Sequence, residues 1–293
     1  MIIPWGTDAP IYHRPIATVA IIVLNVAAFF AFPSADFQDW TLELGGQVHP
    51  AQWVTNVFMH IGLVHLIGNM IFLWTFGIIV EGKLGALGFT AVYLAMGASE
   101  SGLIQLLARP EEIRHMLGAS GVIYGLMAIC LVWAPRNDLS CIFFFGLRPI
   151  DAEIPILWFS GFYIAYETLL TTASRFAVSS ALAHAGGAAV GLVAGIVLLK
   201  ADLVDCEGWD IFSVSRVLKG RGGGKASESS WVAEKVRKRA KKAARAKKKK
   251  AVEATGEDPS QAALRTLRGH LEADEIEAAF SFYKGMRRKF NRC

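Results

Sequence analysis

The sequence predicts an all-α, polytopic membrane protein, a six-transmembrane-helix bundle followed by a basic cytoplasmic C-terminal extension. The first observation behind this fold class is composition: 53% of the 293 residues are hydrophobic and 19% are charged, at a mean hydropathy of +0.39. Such a chain is too apolar for an ordinary soluble domain. The others are a series of long apolar stretches and a positive run, "KVRKRAKKAARAKKKK", at Lys235 to Lys250.

Six apolar stretches approach the length of about 20 residues that a helix needs to cross a bilayer. They lie at residues 15–33, 57–80, 85–107, 118–135, 154–173 and 177–199. The apolar run at residues 141–146 is too short to be a seventh. No small-residue cleavage pattern follows the first stretch, so we interpret it as a retained span and not as a signal peptide.

Charge predicts the orientation of these spans. An even number of spans places both termini on one side, and the positive-inside rule makes the side with the basic run cytoplasmic. The loop at residues 33–56 agrees, because it contains Asp36, Asp39 and Glu43 but neither Lys nor Arg. We therefore expect a multi-pass protein of the cell's inner membrane with both termini in the cytoplasm.

The chain divides by composition into four parts. Residues 1–200 hold the six spans, residues 201–230 form a linker rich in Gly and Ser towards its end, residues 231–258 carry the basic run, and residues 259–293 form a short helical segment. In this last segment we expect two short helices separated near Gly269. The four cysteines lack CxxC spacing, so we interpret them as free thiols and expect no metal and no cofactor.

The basic run has two interpretations that the sequence leaves open. It is suited to anionic lipid headgroups, at about 1 kcal/mol per basic residue near the surface, or it is simply a solvated run of charge. We do not expect nucleic acid as a partner, because no aromatic residues for base stacking are interleaved with the charges.

Three spans carry polar side chains that are costly in a bilayer and therefore need partners. His65 and Asn69 lie four residues apart in the second span and share a helical face, with His60 about one turn nearer the outer surface. Ser120 lies near the outer end of the fourth span. His184 lies about 10 Å deep from the outer end of the sixth, at a rise of 1.5 Å per residue.

Glycines predict that the fourth and sixth spans pack closely. Both spans carry glycines at a spacing of three or four residues, which leaves one helix face nearly free of side chains. These glycines are Gly118, Gly121 and Gly125 in the fourth span and Gly187, Gly191 and Gly195 in the sixth. Close backbone approach would bring the serine and the histidine within hydrogen-bonding distance.

A serine next to a histidine is a candidate nucleophile with its base, because imidazole titrates near neutrality and can take the hydroxyl proton. The backbone N–H of Ser120 and the side chains of His65 and Asn69 are candidate donors to the oxyanion that would form. Taken singly, the serine is more simply an N-cap, His184 a buried histidine bound to a carbonyl, and the glycines helix packing. His65 and Asn69 would then be interhelical contacts, and we expect His60 to stabilise the first loop even in an active enzyme. Their shared depth favours acyl transfer.

With these motifs the sequence resembles the rhomboid intramembrane serine proteases over all six spans. The GxSG motif is present at residues 118–121, AHxGGxxxG at residues 183–191 and HxxxxHxxxN at residues 60–69. The resemblance implies Ser120 as nucleophile and His184 as general base, without an aspartate as a third member. It also implies that Tyr124 packs against the histidine and that Glu81, in "VEGKLG", is structural.

Two features depart from the family pattern, namely a first external loop without its tryptophan–arginine pair and the basic tail. The acids Glu100 and Glu167, in the third and fifth spans, are interpreted as structural partners and not as catalytic groups. We expect an endopeptidase that cleaves transmembrane segments of other membrane proteins. The alternatives are a catalytically silent relative that binds or escorts membrane clients, and a transporter, for which the sequence shows no internal repeat.

Overall fold

The computed structural model describes residues 2–32, 38–108, 114–145, 148–175 and 179–214, together with residues 267–270, 272–273 and 275. The chain forms two compact units, Met1–Lys219 and Gly220–Cys293. In the second unit, residues 267–270 are helical. The basic run and nearly all of the C-terminal segment predicted to be helical lie outside the described residues. The remaining description concerns the first unit.

The first unit is mostly helical. Its helices are α1 (Ile16–Ala31), α2 (Gln52–Thr55), α3 (Leu63–Leu107), α4 (Ser120–Trp133), α5 (Ile156–Ala173) and α6 (Ser180–Lys200). Short 3₁₀ helices cover Gln38–Trp40 and Asn56–Phe58. In the part of the chain that the structure describes, two helices, α3 and α6, are long and apolar enough to cross a membrane, and α1 and α4 are apolar but shorter. The mostly helical fold is confirmed, and the count of six crossings stays a prediction.

Helix α3 breaks at Gly85, whose φ of 72° and ψ of 170° lie outside the helical region. A positive φ is accessible to glycine at little cost, because glycine has no Cβ. The break falls at the first residue of the third predicted span, so two successive helical segments replace one straight helix of 45 residues.

Among the described residues, five strands form two small antiparallel sheets. The strands are β1 (Ile2–Thr7), β2 (Leu42–Leu44), β3 (Arg114–Met116), β4 (Asp138–Phe145) and β5 (Arg148–Pro155). One sheet has the order β1-β4-β5, with Ile2 opposite Phe143 and Phe143 opposite Ile150. The other pairs β2 with β3.

The all-α prediction is wrong for this part of the chain. The apolar run at residues 141–146, too short for a span, lies largely in β4. Leu139 and Cys141 are buried and the intervening Ser140 is partly exposed, which is the alternation expected of a strand that buries one face. Its length correctly excluded a seventh span, but the all-α prediction overlooked that a run of this size is long enough for a strand.

Helix α4 lies at the centre of the first unit and is buried on all sides. Eleven of its 14 residues are buried, and Trp133 at its end is fully enclosed and donates its indole N–H to the carbonyl oxygen of Gly195 at 2.9 Å. A helix that is apolar all round belongs to a core. The first residue of this central helix is Ser120, which places the serine where the other helices surround it.

The loop before α3 holds the segment that precedes α4. The backbone N–H of Gly118 donates to the carbonyl oxygen of Asn56 at 2.9 Å, and the Asn56 amide donates to Ser101 Oγ at 2.9 Å. The pairing of β2 with β3 places Leu42 opposite Met116. The start of α4 is therefore fixed by the loop that precedes α3 and by α3 itself.

Candidate active site

Ser120 occupies the first turn of α4 without capping it. The N-cap of α4 is Ala119, and the Ser120 hydroxyl is hydrogen-bonded to the ring of His184. The alternative that Ser120 is simply an N-cap is therefore wrong. Gly118 has a φ of 116°, in the region that favours glycine, and this sharp turn directs the chain into the helix.

Glycines bring α4 and α6 into backbone contact. A Cβ placed at Gly187 would overlap the carbonyl oxygen of Gly121, and one placed at Gly191 would overlap the backbone of Gly125. Further along α6, a Cβ placed at Gly195 would lie 3.3 Å from the Cα atom of Ile129. Side chains at the first two positions would force the helices apart, so close approach here requires glycine.

Gly118, which was predicted to belong to the same packing face, lies elsewhere. It precedes the helix, and a Cβ built on it would lie 2.9 Å from Cε1 of His65 and 3.7 Å from Nδ2 of Asn69. Gly118 lies outside the α4–α6 contact because the backbone turns at this residue. A residue before the first turn of a helix does not follow the helical spacing. Its glycine makes room for the polar side chains of α3.

The helix contact brings Ser120 and His184 together, with 2.9 Å between Ser120 Oγ and His184 Nε2. The ring of Tyr124, one turn after the serine, stacks on the imidazole with centroids 4.4 Å apart and planes inclined by 9°. Stacking leaves the imidazole little freedom to rotate, and the ring edge stays directed at the hydroxyl.

The second ring nitrogen of His184 faces a carboxylate that was interpreted from the sequence as structural. Nδ1 is buried and lies 3.1 Å from Oε1 of Glu167, although the N–H direction does not meet hydrogen-bond geometry. The hydroxyl of Tyr124 donates to the same oxygen at 3.3 Å. A usable signal existed in the sequence, since Glu167 and His184 lie at similar distances from the chain segment that connects their two helices.

The remaining predicted polar residues lie beside this pair. The Nδ2 amide of Asn69 donates to Nε2 of His60 at 2.9 Å, and the rings of His60 and His65 have centroids 5.1 Å apart. His60 is buried, and its hydrogen bond holds the Asn69 amide in position. His65 and Asn69 line the same cavity as Ser120.

This cavity has a volume of about 620 Å³, within the range of pockets that hold small ligands or several side chains. Its polar lining includes Ser120, His184, His65 and Asn69, and its apolar lining includes Phe72. Among the residues that the structure describes, no cluster of His, Cys, Asp or Glu is arranged to hold a metal ion.

Two further acids contact neighbouring helices. Both oxygens of Glu81 accept hydrogen bonds at the start of α1, from the backbone N–H of Ala17 at 2.8 Å and from that of Thr18 at 2.7 Å. Glu100 is buried, and its carboxylate lies against Gly121. Both positions agree with a structural interpretation of these residues.

Fold and site together define a helical membrane protein that holds a serine–histidine pair in a cavity within its helices. The chain belongs to the rhomboid family, whose Rhomboid domain model matches residues 47–201. This match covers all of α3 to α6, and with them each residue of the site.

Curated relatives carry the same family name. The chain is 31% identical over 156 residues to Rhomboid-like protein 11, chloroplastic, of Arabidopsis thaliana, covering 51% of this chain and 52% of that protein. It is 27% identical over 143 residues to Rhomboid protease GluP of Bacillus subtilis (strain 168), covering 45% of this chain and 27% of that protein.

A third relative is the Presenilin-associated rhomboid-like protein, mitochondrial, of Rattus norvegicus, 33% identical over 90 residues, or 30% of this chain and 24% of that protein. The chain thus spans about half or less of the length of these relatives. Their names include chloroplastic and mitochondrial proteins, so the predicted location in a cell's inner membrane gains no support from them.

Proposed function

We propose that this protein is an intramembrane serine endopeptidase that cleaves transmembrane segments of other membrane proteins. The observation that carries the proposal is the 2.9 Å separation between Ser120 Oγ and His184 Nε2 at the wall of a 620 Å³ cavity. A binding or escort protein does not require a hydroxyl aligned on an imidazole in this way. The name of the GluP relative as a protease gives further support.

The reaction begins with proton transfer from Ser120 Oγ to His184 Nε2 as the oxygen attacks a substrate carbonyl carbon. The resulting oxyanion accepts hydrogen bonds from the Ser120 N–H, from His65 and from Asn69. Asn69 can donate to the oxyanion because its amide has two N–H groups, of which only one donates to His60. His184 then donates its proton to the leaving amine, and water hydrolyses the acyl-enzyme.

The substrate must unwind before it can react. A carbonyl within a regular transmembrane helix is hydrogen-bonded along the helix and is shielded from attack. Small or helix-breaking residues near the cleaved bond would therefore favour cleavage. The cavity, at 620 Å³, offers room for a short unwound stretch and not for a complete helix.

The topology that we propose has six crossings with both termini in the cytoplasm. Helix α3 would provide two of them, because Gly85 divides it. In this arrangement residues 1–200 form the protease domain, residues 201–230 the linker, residues 231–258 a basic segment near lipid headgroups and residues 259–293 a short helical segment. The substrate partners would be membrane proteins within the same bilayer.

The test is cleavage of a single-span model substrate by purified protein in detergent, with mass spectrometry of the products. We expect Ser120→Ala and His184→Ala each to abolish cleavage above background. Two matched controls are Ser160→Ala, which removes a buried hydroxyl of α5, and His13→Ala, which changes a histidine before α1. Cleavage at the wild-type rate by either of the first two variants would refute the proposal.

A further inference from the structure

We infer that Glu167 is a positioning residue for His184, so that serine, histidine and glutamate act as a triad in the reaction proposed above. The inference rests on that proposed function. It assigns to Glu167 a role that the family motifs do not imply and that was interpreted from the sequence as structural. Two observations carry it, namely the position of the carboxylate and its hydrogen bond to Tyr124, together with the chemical requirement that the serine places on the tautomer of His184.

The carboxylate lies on the side of the imidazole opposite the serine. Oε1 of Glu167 is 3.1 Å from Nδ1, while Nε2 is 2.9 Å from Ser120 Oγ. The side chains of His184 and Glu167 are only 17% and 14% exposed. In such a place a carboxylate interacts with the ring more strongly than it would in water.

The serine requires one particular tautomer of His184. Nε2 can accept the hydroxyl proton only if it carries a lone pair, so the proton of the neutral ring must be on Nδ1. A carboxylate next to Nδ1 favours that tautomer, because it accepts from an N–H and would repel a lone pair. After proton transfer it also stabilises the buried imidazolium through its opposite charge.

Tyr124 holds the carboxylate in this position. Its hydroxyl donates to Oε1 of Glu167 at 3.3 Å, and its ring is stacked on His184 at 4.4 Å. One tyrosine thus contacts both members of the pair. The N–H of Nδ1 is not aligned on the oxygen in the resting state, and catalytic hydrogen bonds commonly become shorter and straighter when substrate is bound.

A purely structural role would make a different prediction. A glutamate that only joined α5 to α4 through Tyr124 would affect folding, and its loss would leave the chemistry of folded molecules unchanged. A positioning role instead predicts slower chemistry in molecules that fold normally. The two roles are therefore separated by measuring kcat and KM on protein whose thermal unfolding has been recorded.

The experiment compares the full-length wild type with Glu167→Gln, Glu167→Ala and Glu167→Asp. Readouts are kcat and KM for the model substrate and the rate at which a fluorophosphonate labels Ser120. We expect Glu167→Gln to lower kcat and the labelling rate by at least about 10-fold, because the carboxylate that orients the histidine of a serine protease triad contributes up to about 10⁴-fold to kcat, with KM changed less than twofold. Glu167→Asp, which keeps the charge, should recover part of the loss.

Thr168→Ala is the matched control, since Thr168 is the next residue of α5, is exposed, and donates only within its own helix. It should behave as the wild type. Tyr124→Phe, which keeps the stacked ring but removes the hydroxyl, should lower kcat less than Glu167→Gln, and the double variant should be less impaired than the product of the two single effects.

The outcomes separate the two proposals. If the wild type neither cleaves nor reacts with the fluorophosphonate, the proposed function fails. If the wild type is active and folded Glu167 variants match it in kcat and labelling, the triad is refuted and the protease stands. A rise in KM at unchanged kcat would likewise refute the positioning role. If Glu167→Gln does not fold, the positioning role is tested with Glu167→Asp and Tyr124→Phe. Wild-type kcat and labelling rate in both folded variants would then refute it.

Discussion

Glu81 shows how a single buried acid can hold a helix. Its two oxygens accept from the backbone N–H groups of Ala17 and Thr18, and the Thr18 hydroxyl donates to it at 2.6 Å. The first N–H groups of a helix have no partner inside the helix, and a negative charge at that end is favoured by the helix dipole. The resemblance to the family pointed to this structural role, and the hydrogen bonds supply its physical reason.

We expect Glu81→Ala to destabilise the protein by about 1–3 kcal/mol, because the substitution leaves buried N–H groups at the start of α1 without an acceptor. Unfolding in mixed micelles would measure the loss. Glu81→Gln keeps one acceptor oxygen and should lie between the wild type and the alanine variant. Equal stability of all three proteins would contradict the role assigned to these hydrogen bonds.

The site residues differ in how far the sequence could predict them. Ser120 and His184 stand within recognisable motifs, and the hydrogen-bonding distance between them agrees with the pairing predicted from glycine spacing. Glu167 has no motif around it, and the contact partner of an isolated acid in an apolar helix cannot be predicted from the sequence. The contact of its carboxylate with His184 depends on the rotation of α5 about its own axis, which the surrounding packing decides.

The contact of α4 with α6 is the element on which the site depends. Spacing of three or four residues places glycines on one face whatever the partner helix, so the sequence predicts a close contact and the structure identifies its members. Gly121, Gly125, Gly187 and Gly191 touch through their backbones. A Trp133 hydrogen bond to Gly195 adds a contact at the other end of the same pair.

We therefore expect Gly191→Ala to separate the two helices and to lower both thermal stability and cleavage, since even one methyl group would overlap the backbone of Gly125. A loss of about 1–3 kcal/mol is typical of overpacking in a well-packed core. Unfolding and cleavage should be measured on the same preparation. The control is Gly161→Ala in α5, because a Cβ placed there would meet no neighbouring residue within 4 Å. This variant should retain stability and activity. An equal loss in both variants would contradict the proposed importance of the α4–α6 contact.

For the molecule as a whole, the ends of the helical unit are joined at one place. Tyr12, which precedes α1, donates a hydrogen bond to Glu207, which follows α6, and this bond raises the pKa of Tyr12 to about 12. The ammonium of Lys83, near the break in α3, lies 5.5 Å from the centre of the Tyr12 ring. Segments far apart in sequence thus meet at the side that we propose to be cytoplasmic.

The proposed topology predicts which positions an impermeant thiol reagent can reach. In a variant whose native cysteines are replaced by alanine, Glu43→Cys should be labelled in intact cells, because β2 belongs to the outer loop. Glu207→Cys should react only after the membrane is opened. Leu126→Cys, in the buried middle of α4, is a control that should react only after unfolding. Labelling of Glu207→Cys from outside would contradict the proposed orientation.

The amino-acid sequence alone was enough to predict the apolar character of the chain, the approximate limits of its long helices and the motifs of the serine and the histidine. These follow from composition and from local periodicity, which each segment carries on its own. The pairing of β1 with β4, the displacement of Gly118 from the helix contact and the meeting of Glu167 with His184 were decided by the tertiary structure. Each joins residues that are distant in sequence or depends on a backbone turn, so its geometry exists only once the neighbouring elements have packed.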